Sequence, residues 1–579
     1  MNAQSPDRFA RIGGPPRPAL FNRRTAWLLA FLAAFVWSLN EAGVFDGQIL
    51  NRGGWTLALQ FAEGAFKPDL SADLLKLTLE STLTTLAFAI AGTTLSIVLG
   101  VIFGILGSEI FWQLIFPERG KRRPIRHRVP LVGVRVGLAV PRAIHEVIWG
   151  LFFINILGLD PLVAVLAIGI PFGAITARVF SGILDETPRE ALRALESSGV
   201  APGKVLLYGL LPQAFPDLLS YTFYRLECAI RAAAVLGLIG AGGLGYQILL
   251  SLQSLRYEQV WTFLYALILL SALTDVWSSF LRRRLHLANR VDLQLDLHSK
   301  SKRRIYRADP VAKRSLQAML LLIPLSFWYI EADFAKLFAP RTIDLLTGVL
   351  NDSLPPRIDG ALLEQLFHLS AQTLSMSILA ITIAGVGGLL LSFPAASNFL
   401  LPGGIFDPGG GSRARTLKGV LILIVTRGVL LLLRALSEAI WALVALFFLF
   451  PGILPGAVGL GLYNLGILGR LMAEVTENID QRPLRALQSQ GASPAQVFLY
   501  GVLPATLPRC MAYVLYRWEV CIRATIMVGF VGAGGLGRLL SEQMSSFDYR
   551  SVTTSLIVMI VLTFGVDTLS SRIRKTLRV

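Results

Sequence analysis

The chain has 579 residues, of which 54% are hydrophobic and 16% charged, with a mean hydropathy of +0.61 and a formal net charge of +17. Soluble chains carry about 25% charged residues, so this composition excludes an ordinary soluble enzyme and points to an all-α integral membrane protein built from blocks near the roughly 20 residues that span a bilayer. The positive charges sit in short segments beside those blocks, as cytoplasmic loops require, which also argues against a nucleic-acid partner.

Residues 1–24 form a basic tail with Arg8, Arg11, Arg17, Arg23 and Arg24 and no small-residue cleavage site, so the first apolar block is expected to stay as an anchor. A first repeat over 25–282 then reads as six spans, near 25–40, 77–107, 130–158, 160–181, 218–248 and 259–281. The basic run Glu118–Arg128 follows the second span and is expected on the cytoplasmic side, where a polar segment at about 182–216 also returns. A basic linker, 283–313, leads to a second repeat over 314–579 with spans near 314–330, 368–393, 417–450, 454–474, 511–533 and 552–571. The expected architecture is therefore about 12 transmembrane helices in two six-helix parallel repeats, with cytoplasmic N- and C-termini. Cys228, Cys510 and Cys521 lie in or beside apolar helices, with neither disulfide framework nor metal spacing.

The repetition is sharpest over Glu190–Gly245 and Arg482–Gly537, where equivalent residues stand 292 apart without a gap: Gly199 with Gly491, Pro212 with Pro504, Arg231 with Arg523. Ala194-Leu195-Glu196 through Gly199 reads as a short amphipathic helix ended by glycine in a left-handed conformation, and Leu211-Pro212 reads as a stop before the next apolar helix. In the second copy Ser493-Pro494 starts the following helix, and the polar segment runs from about 475 to 510. Roughly 30 polar residues exceed the two to eight that join neighbouring helices. Such a protrusion, made twice, suggests docking to a cytoplasmic partner.

Charge inside the apolar blocks is the next signal. Arg142 and Glu146 are four apart, expected on one helix face, and recur as Arg434 and Glu438. Each charge near mid-membrane costs roughly 2.5–3.5 kcal/mol on insertion scales, too much to leave facing lipid. Glu227 with Arg231, Glu519 with Arg523, Arg178 with Arg470, and Asp275 with Asp567 extend the set, and Trp149 and Trp441 accompany it. Two readings stand: salt bridges that hold the bundle, or the lining of a pathway for an anion. Packing is the commoner role for the two tryptophans. Gly240, Gly242, Gly243 and Gly245, with Gly532, Gly534, Gly535 and Gly537, also satisfy GxGxxG, but no strand precedes them, so the dinucleotide reading fails. They read instead as an irregular segment with closely approaching backbones, and as a candidate outer gate.

The polar segments resemble the coupling loop of ABC-importer permeases, the EAA loop, in which a small-residue helix and a Gly precede Leu-Pro. The matching elements are Gly199 with Leu211-Pro212 and Gly491 with Leu503-Pro504, while Arg193-Ala194-Leu195 and Arg485-Ala486-Leu487 replace the family's Glu-Ala-Ala. Arg142–Trp149, Tyr208–Pro212 and Gly237–Gly245, with repeats at Arg434–Trp441, Tyr500–Pro504 and Gly529–Gly537, are similar to phosphonate-type importer permeases over about 70–285 and 360–579. The resemblance implies the type I ABC importer permease fold, with both permease halves fused in one chain of the inner membrane. It implies two copies of a cytoplasmic ATPase on the coupling loops, a periplasmic substrate-binding protein, and inward movement of phosphonate or a related oxyanion such as phosphite or a phosphate ester. Neither a GxxxxGK[ST] loop nor HExxH occurs, and Gly199–Val205 fits the first only in part. No cofactor is expected in this chain; ATP and Mg²⁺ belong to the partner ATPase. The rival is an ion-coupled secondary transporter or channel for a small anion, with Glu146 and Glu438 as ion sites, and it needs no coupling protrusion. A membrane enzyme lacks a convergent catalytic set.

Overall fold

The computed structural model describes residues 23–45, 49–51, 53–116, 128–284, 310–401, 404 and 413–577. The basic tail, the Glu118–Arg128 run and the linker 283–313 lie wholly or almost wholly outside the described residues. The first repeat contains α1 (Arg23–Glu41), α2 (Gly54–Gly64), α3 (Ala72–Leu106), α4 (Glu109–Ile115), α5 (Arg128–Ala143), α6 (Glu146–Leu157), α7 (Pro161–Glu186), α8 (Glu190–Ser197), α9 (Leu211–Leu236), α10 (Gly243–Gln253) and α11 (Tyr257–Arg284). The second contains α12 (Pro310–Tyr329), α13 (Pro340–Asp352), α14 (Gly360–Ala395), α15 (Arg413–Ala435), α16 (Glu438–Phe448), α17 (Ile453–Glu477), α18 (Gln481–Ser489), α19 (Leu503–Val528), α20 (Gly535–Ser545) and α21 (Tyr549–Leu577). Among the described residues the β-type pairing consists of an isolated bridge, Leu50 to Leu449.

Among the described residues, eight helices are long and apolar enough to cross a membrane, or ten when the bent pairs α5/α6 and α9/α10 each count as one span. The shorter α1 and the 20-residue α12 occupy the first expected position of each repeat. Two expectations need correction. The third span of each repeat is not one helix: α5 and α6 meet at 84°, and α15 ends at Ala435 before α16 restarts at Glu438. In the first repeat Pro141 weakens the last turn of α5, and His145 Nδ1 accepts from the Val147 N–H at 3.4 Å to cap a new helix. Arg142 and Glu146, and likewise Arg434 and Glu438, therefore flank a break instead of sharing a helix face. Leu211-Pro212 and Leu503-Pro504 are not stops either. Each follows a π turn, Val205–Leu210 or Phe498–Val502, and enters the first turn of α9 or α19. The wider turn accommodates the N–H that proline cannot give.

Within each repeat one long pair forms the spine, α3 on α7 and α14 on α17. Gly92, Ser96, Gly100 and Gly104 recur every fourth residue on α3, and a Cβ on Gly92 would stand 2.8 Å from the Ile168 Cβ. Apolar lipid offers no driving force between helices, so close backbone approach and a Ser96–Thr176 hydroxyl contact of 3.1 Å hold the pair. The first helices are exchanged between repeats: α1 lies on α14, where Ser375 Oγ donates to Ser38 O at 3.1 Å, and α12 lies on α3. Outside the spans Lys336 Nζ reaches Asp160 Oδ2 across the repeats at 2.6 Å, which pulls the ammonium pKa up. The two repeats thus interlock.

Candidate functional site

A cavity of about 800 Å³ lies between the repeats. The α5/α6 break, α7, α9 and α11 line one side, and the α15/α16 break, α17 and α19 the other. Eight arginines and five carboxylates face it, giving the wall a surplus of positive charge in low-dielectric surroundings, which concentrates anions. Of the fourteen charged and aromatic residues picked out in sequence, Arg142, Glu146, Arg231, Asp275, Arg434, Glu438, Arg470 and Arg523 line this cavity. The other six do not, Arg178 and Asp567 among them. Glu227 faces a small recess beside it, Glu519 pairs with Arg574 at 2.5 Å, Trp149 packs on Phe152 and Phe153, and Trp441 Nε1 donates to Leu433 O at 3.1 Å.

The arginines differ in what they meet. Arg434 on α15 makes an ion pair with Asp275 on α11, across the repeats. Arg427 meets Glu477 at 2.5 Å and Arg470 meets Glu474 at 3.0 Å. Arg517 donates twice to Asn464 Oδ1, from Nε at 2.9 Å and Nη2 at 2.5 Å. No carboxylate lies within 4 Å of Arg142 or Arg225 on the first-repeat wall, or of Arg523 on the second, among the described residues. Arg523 Nη1 donates to the Arg142 carbonyl at 3.4 Å, which sets two cations side by side at the α5/α6 break. Arg225 is 6% exposed, and its guanidinium lies 4.3 Å from the Phe172 ring and 5.7 Å from Tyr221. Arg231 Nη2 donates to Cys228 Sγ at 3.6 Å. Sequence reasoning left Arg225 and Arg517 out of the pathway set. Their constant spacing from Arg231 and Arg523, six residues along the same helices, was the available signal.

The two segments expected to couple to a partner fold alike. α8 and α18 are short amphipathic helices whose Leu192 and Leu484 are buried. Arg193, Ala194, Arg485 and Ala486 point outward, and Leu195 and Leu487 are half-buried. Gly199 and Gly491 end the helices at φ 76° and 85°, conformations that glycine adopts at least cost. Beside each helix stands an apolar pair, Leu207-Tyr208 and Leu499-Tyr500, with both tyrosines 75% exposed.

The glycine segments form sharp bends. Gly240 and Gly532 have φ of 101° and 104°, and Gly242, Gly243, Gly534 and Gly535 are also positive. The first N–H groups after each bend are bound from outside: Leu244 donates to Thr85 Oγ1 and Leu536 to Thr373 Oγ1, each at 2.9 Å. Gly245 and Gly537 are tighter still, since an added Cβ would fall 1.8 Å from Ala234 O and 2.4 Å from Ile526 O. We expect Gly245→Ala or Gly537→Ala to destabilise the bundle by at least the roughly 1–3 kcal/mol of overpacking. A lowered thermal midpoint of the detergent-purified chain checks this; an unchanged midpoint would mean that the backbones can part there.

The family described as "Binding-protein-dependent transport system inner membrane component" matches residues 120–287 and 410–579. The chain is 27% identical over 501 residues to the phosphate-import permease protein PhnE of Mycolicibacterium smegmatis, covering 85% of this chain and 84% of that protein. It is 31% identical over 254 residues to the phosphite transport system permease protein PtxC of Stutzerimonas stutzeri, covering 44% of this chain and 85% of that one. A third relative, the putative cryptic phosphonate transport system permease protein PhnE2 of Escherichia coli, is 36% identical over 118 residues, 20% of this chain and 97% of its own length. No solved structure matches.

Proposed function

The chain belongs to the family of binding-protein-dependent transport system inner membrane components and carries that domain twice, as a fused permease of the ABC importer class; from that membership we propose that it imports a phosphorus oxyanion such as phosphonate, phosphite or phosphate. The observation that carries the substrate class is the cationic cavity between the repeats, with eight arginines against five carboxylates. The names of the relatives agree with it. In this reading the protein sits in the inner membrane with both termini in the cytoplasm. One ATPase copy docks on α8 and another on α18, and a periplasmic binding protein delivers substrate to the opposite face. Closure of the two ATPases draws the coupling helices together and opens the cavity outward; hydrolysis, on the partner with its own ATP and Mg²⁺, returns it.

The test is purification of the chain with its neighbouring gene products, followed by uptake of methylphosphonate, phosphite, phosphate and sulfate into proteoliposomes. Two ATPase copies per chain and ATP-dependent uptake of a phosphorus oxyanion are expected. Transport by the isolated chain, driven by an ion gradient, would overturn the ATPase reading. Preference for sulfate would overturn the substrate class while leaving the importer standing.

A further inference from the structure

We propose that the transported anion is bound asymmetrically, by Arg142 and Arg225 of the first repeat, and that the equivalent Arg434 and Arg517 of the second repeat are structural. This rests on the anion-importer reading above and adds to it the wall that does the holding. Three equivalent positions separate the repeats. Arg434 is neutralised by Asp275, whereas no carboxylate reaches Arg142 among the described residues. Arg470 is neutralised by Glu474 one turn along α17, but the residue one turn along α7 from Arg178 is Gly182. Arg517 is bound twice by Asn464, where the first repeat places Phe172 against Arg225.

The consequence is electrostatic. A guanidinium already committed to a carboxylate or amide has lost much of its fork to that partner, and pulling it free leaves the partner unsatisfied. An unmatched guanidinium gains most from an incoming oxyanion. Arg142 feels the positive charges of Arg178 and Arg523, opposed in part by Asp567, so a bound anion relieves the repulsion on it. Arg225 adds an unmet demand: its Nε and Nη2 are buried and find no acceptor. An oxyanion that draws this side chain off Phe172 supplies acceptors that a bare aromatic face cannot, since a face-on ring attracts the cation but takes few of its N–H groups. Phosphonate and phosphate, with several oxygens on one centre, offer acceptors to more than one guanidinium of this cavity.

The experiment compares equivalent substitutions in the full chain purified with its partners, reading uptake in proteoliposomes and the anion-dependent rise in thermal midpoint, with phosphate, methylphosphonate and sulfate as probes. R142Q and R225Q are expected to lower uptake about tenfold or more and to abolish the anion-dependent rise, with the anion-free midpoint unchanged. R434Q and R517Q are expected to lower the anion-free midpoint and to retain the rise. F172N and G182E, which place the second repeat's partners beside Arg225 and Arg178, are expected to lower uptake in a folded protein; nothing lies within 4 Å of a Cβ added at Gly182. Equal losses from both members of each pair would overturn the proposal, as would wild-type uptake in R142Q and R225Q. Where R142Q does not accumulate, wild-type uptake by both F172N and G182E overturns it. A wild-type response confined to sulfate removes the phosphorus-oxyanion reading, and the same comparisons made with sulfate still decide the asymmetry.

Discussion

Ala194→Arg combined with Ala486→Arg is expected to lower ATP-dependent uptake at least about a hundredfold, equivalent to roughly 2.7 kcal/mol of lost coupling, with no loss of protein from the membrane. Both alanines point outward from α8 and α18, so the new side chains meet no part of this chain's core. The helices stay anchored from beneath by Leu192 and Leu484, whose burial the substitutions do not touch. What changes is the outer face, where two long cations replace two methyl groups between Arg193 and Arg485 and any docked partner. Like-charge crowding and lost complementarity at the centre of a small interface remove most of its binding energy. The measurement is co-purification of the ATPase together with uptake. A double variant that keeps two ATPase copies per chain and transports normally would show that these helices are not where the ATPase docks. Tyr208→Ala with Tyr500→Ala probes the flanking apolar pairs in the same assay, and a smaller loss is expected because the helices themselves are untouched.

Asp275→Asn is expected to have the largest effect on stability of any single substitution in the cavity wall. It removes the Asp275 charge from Arg434, 19% exposed, at the junction of α15 and α11, the point where the repeats meet. Losing a charged hydrogen bond of this kind costs about 1.5–3 kcal/mol. The double variant Asp275→Asn/Arg434→Gln is expected to regain most of that, because the cost lies chiefly in the stranded charge and not in the missing bond. Asp567→Asn, at the equivalent position, is expected to change the thermal midpoint little: no arginine lies within 4 Å of Asp567 among the described residues, and its Oδ1 has no hydrogen-bond partner. Thermal unfolding of the four proteins in one detergent checks the set. Equal destabilisation by Asp275→Asn and Asp567→Asn would show that the two cross-repeat pairs are equivalent in solution.

Much of the fold was legible before any coordinates. The apolar blocks gave the helices, the 292-residue separation gave the pairing of α8 with α18 and of the two glycine bends, and the charged residues within apolar runs gave eight residues of the cavity wall. Glu227, Glu519, Trp149 and Trp441 were placed with them and lie elsewhere. Depth in the membrane can be counted along a helix, but the face a side chain shows depends on which neighbour packs there. Arg225 and Arg517 were passed over in the pathway set although they travel with the residues that were chosen.

The sequence by itself determined what depends on local spacing and composition: membrane residence, the doubling, the paired short amphipathic helices, and the glycines at positive φ. It could not place the break between Arg142 and Glu146, because Pro141 alone kinks helices as often as it ends them and the decision rests with the cap His145 makes on α6. It could not show the exchange of α1 and α12 between repeats, since an apolar helix of suitable length fits either neighbour. Nor could it divide eight chemically identical arginines into those matched and those left open. That division is tertiary because the matching carboxylate can stand far away in the chain: Asp275 reaches Arg434 across 159 residues, while Arg142, the repeat of that arginine, has none within 4 Å among the described residues.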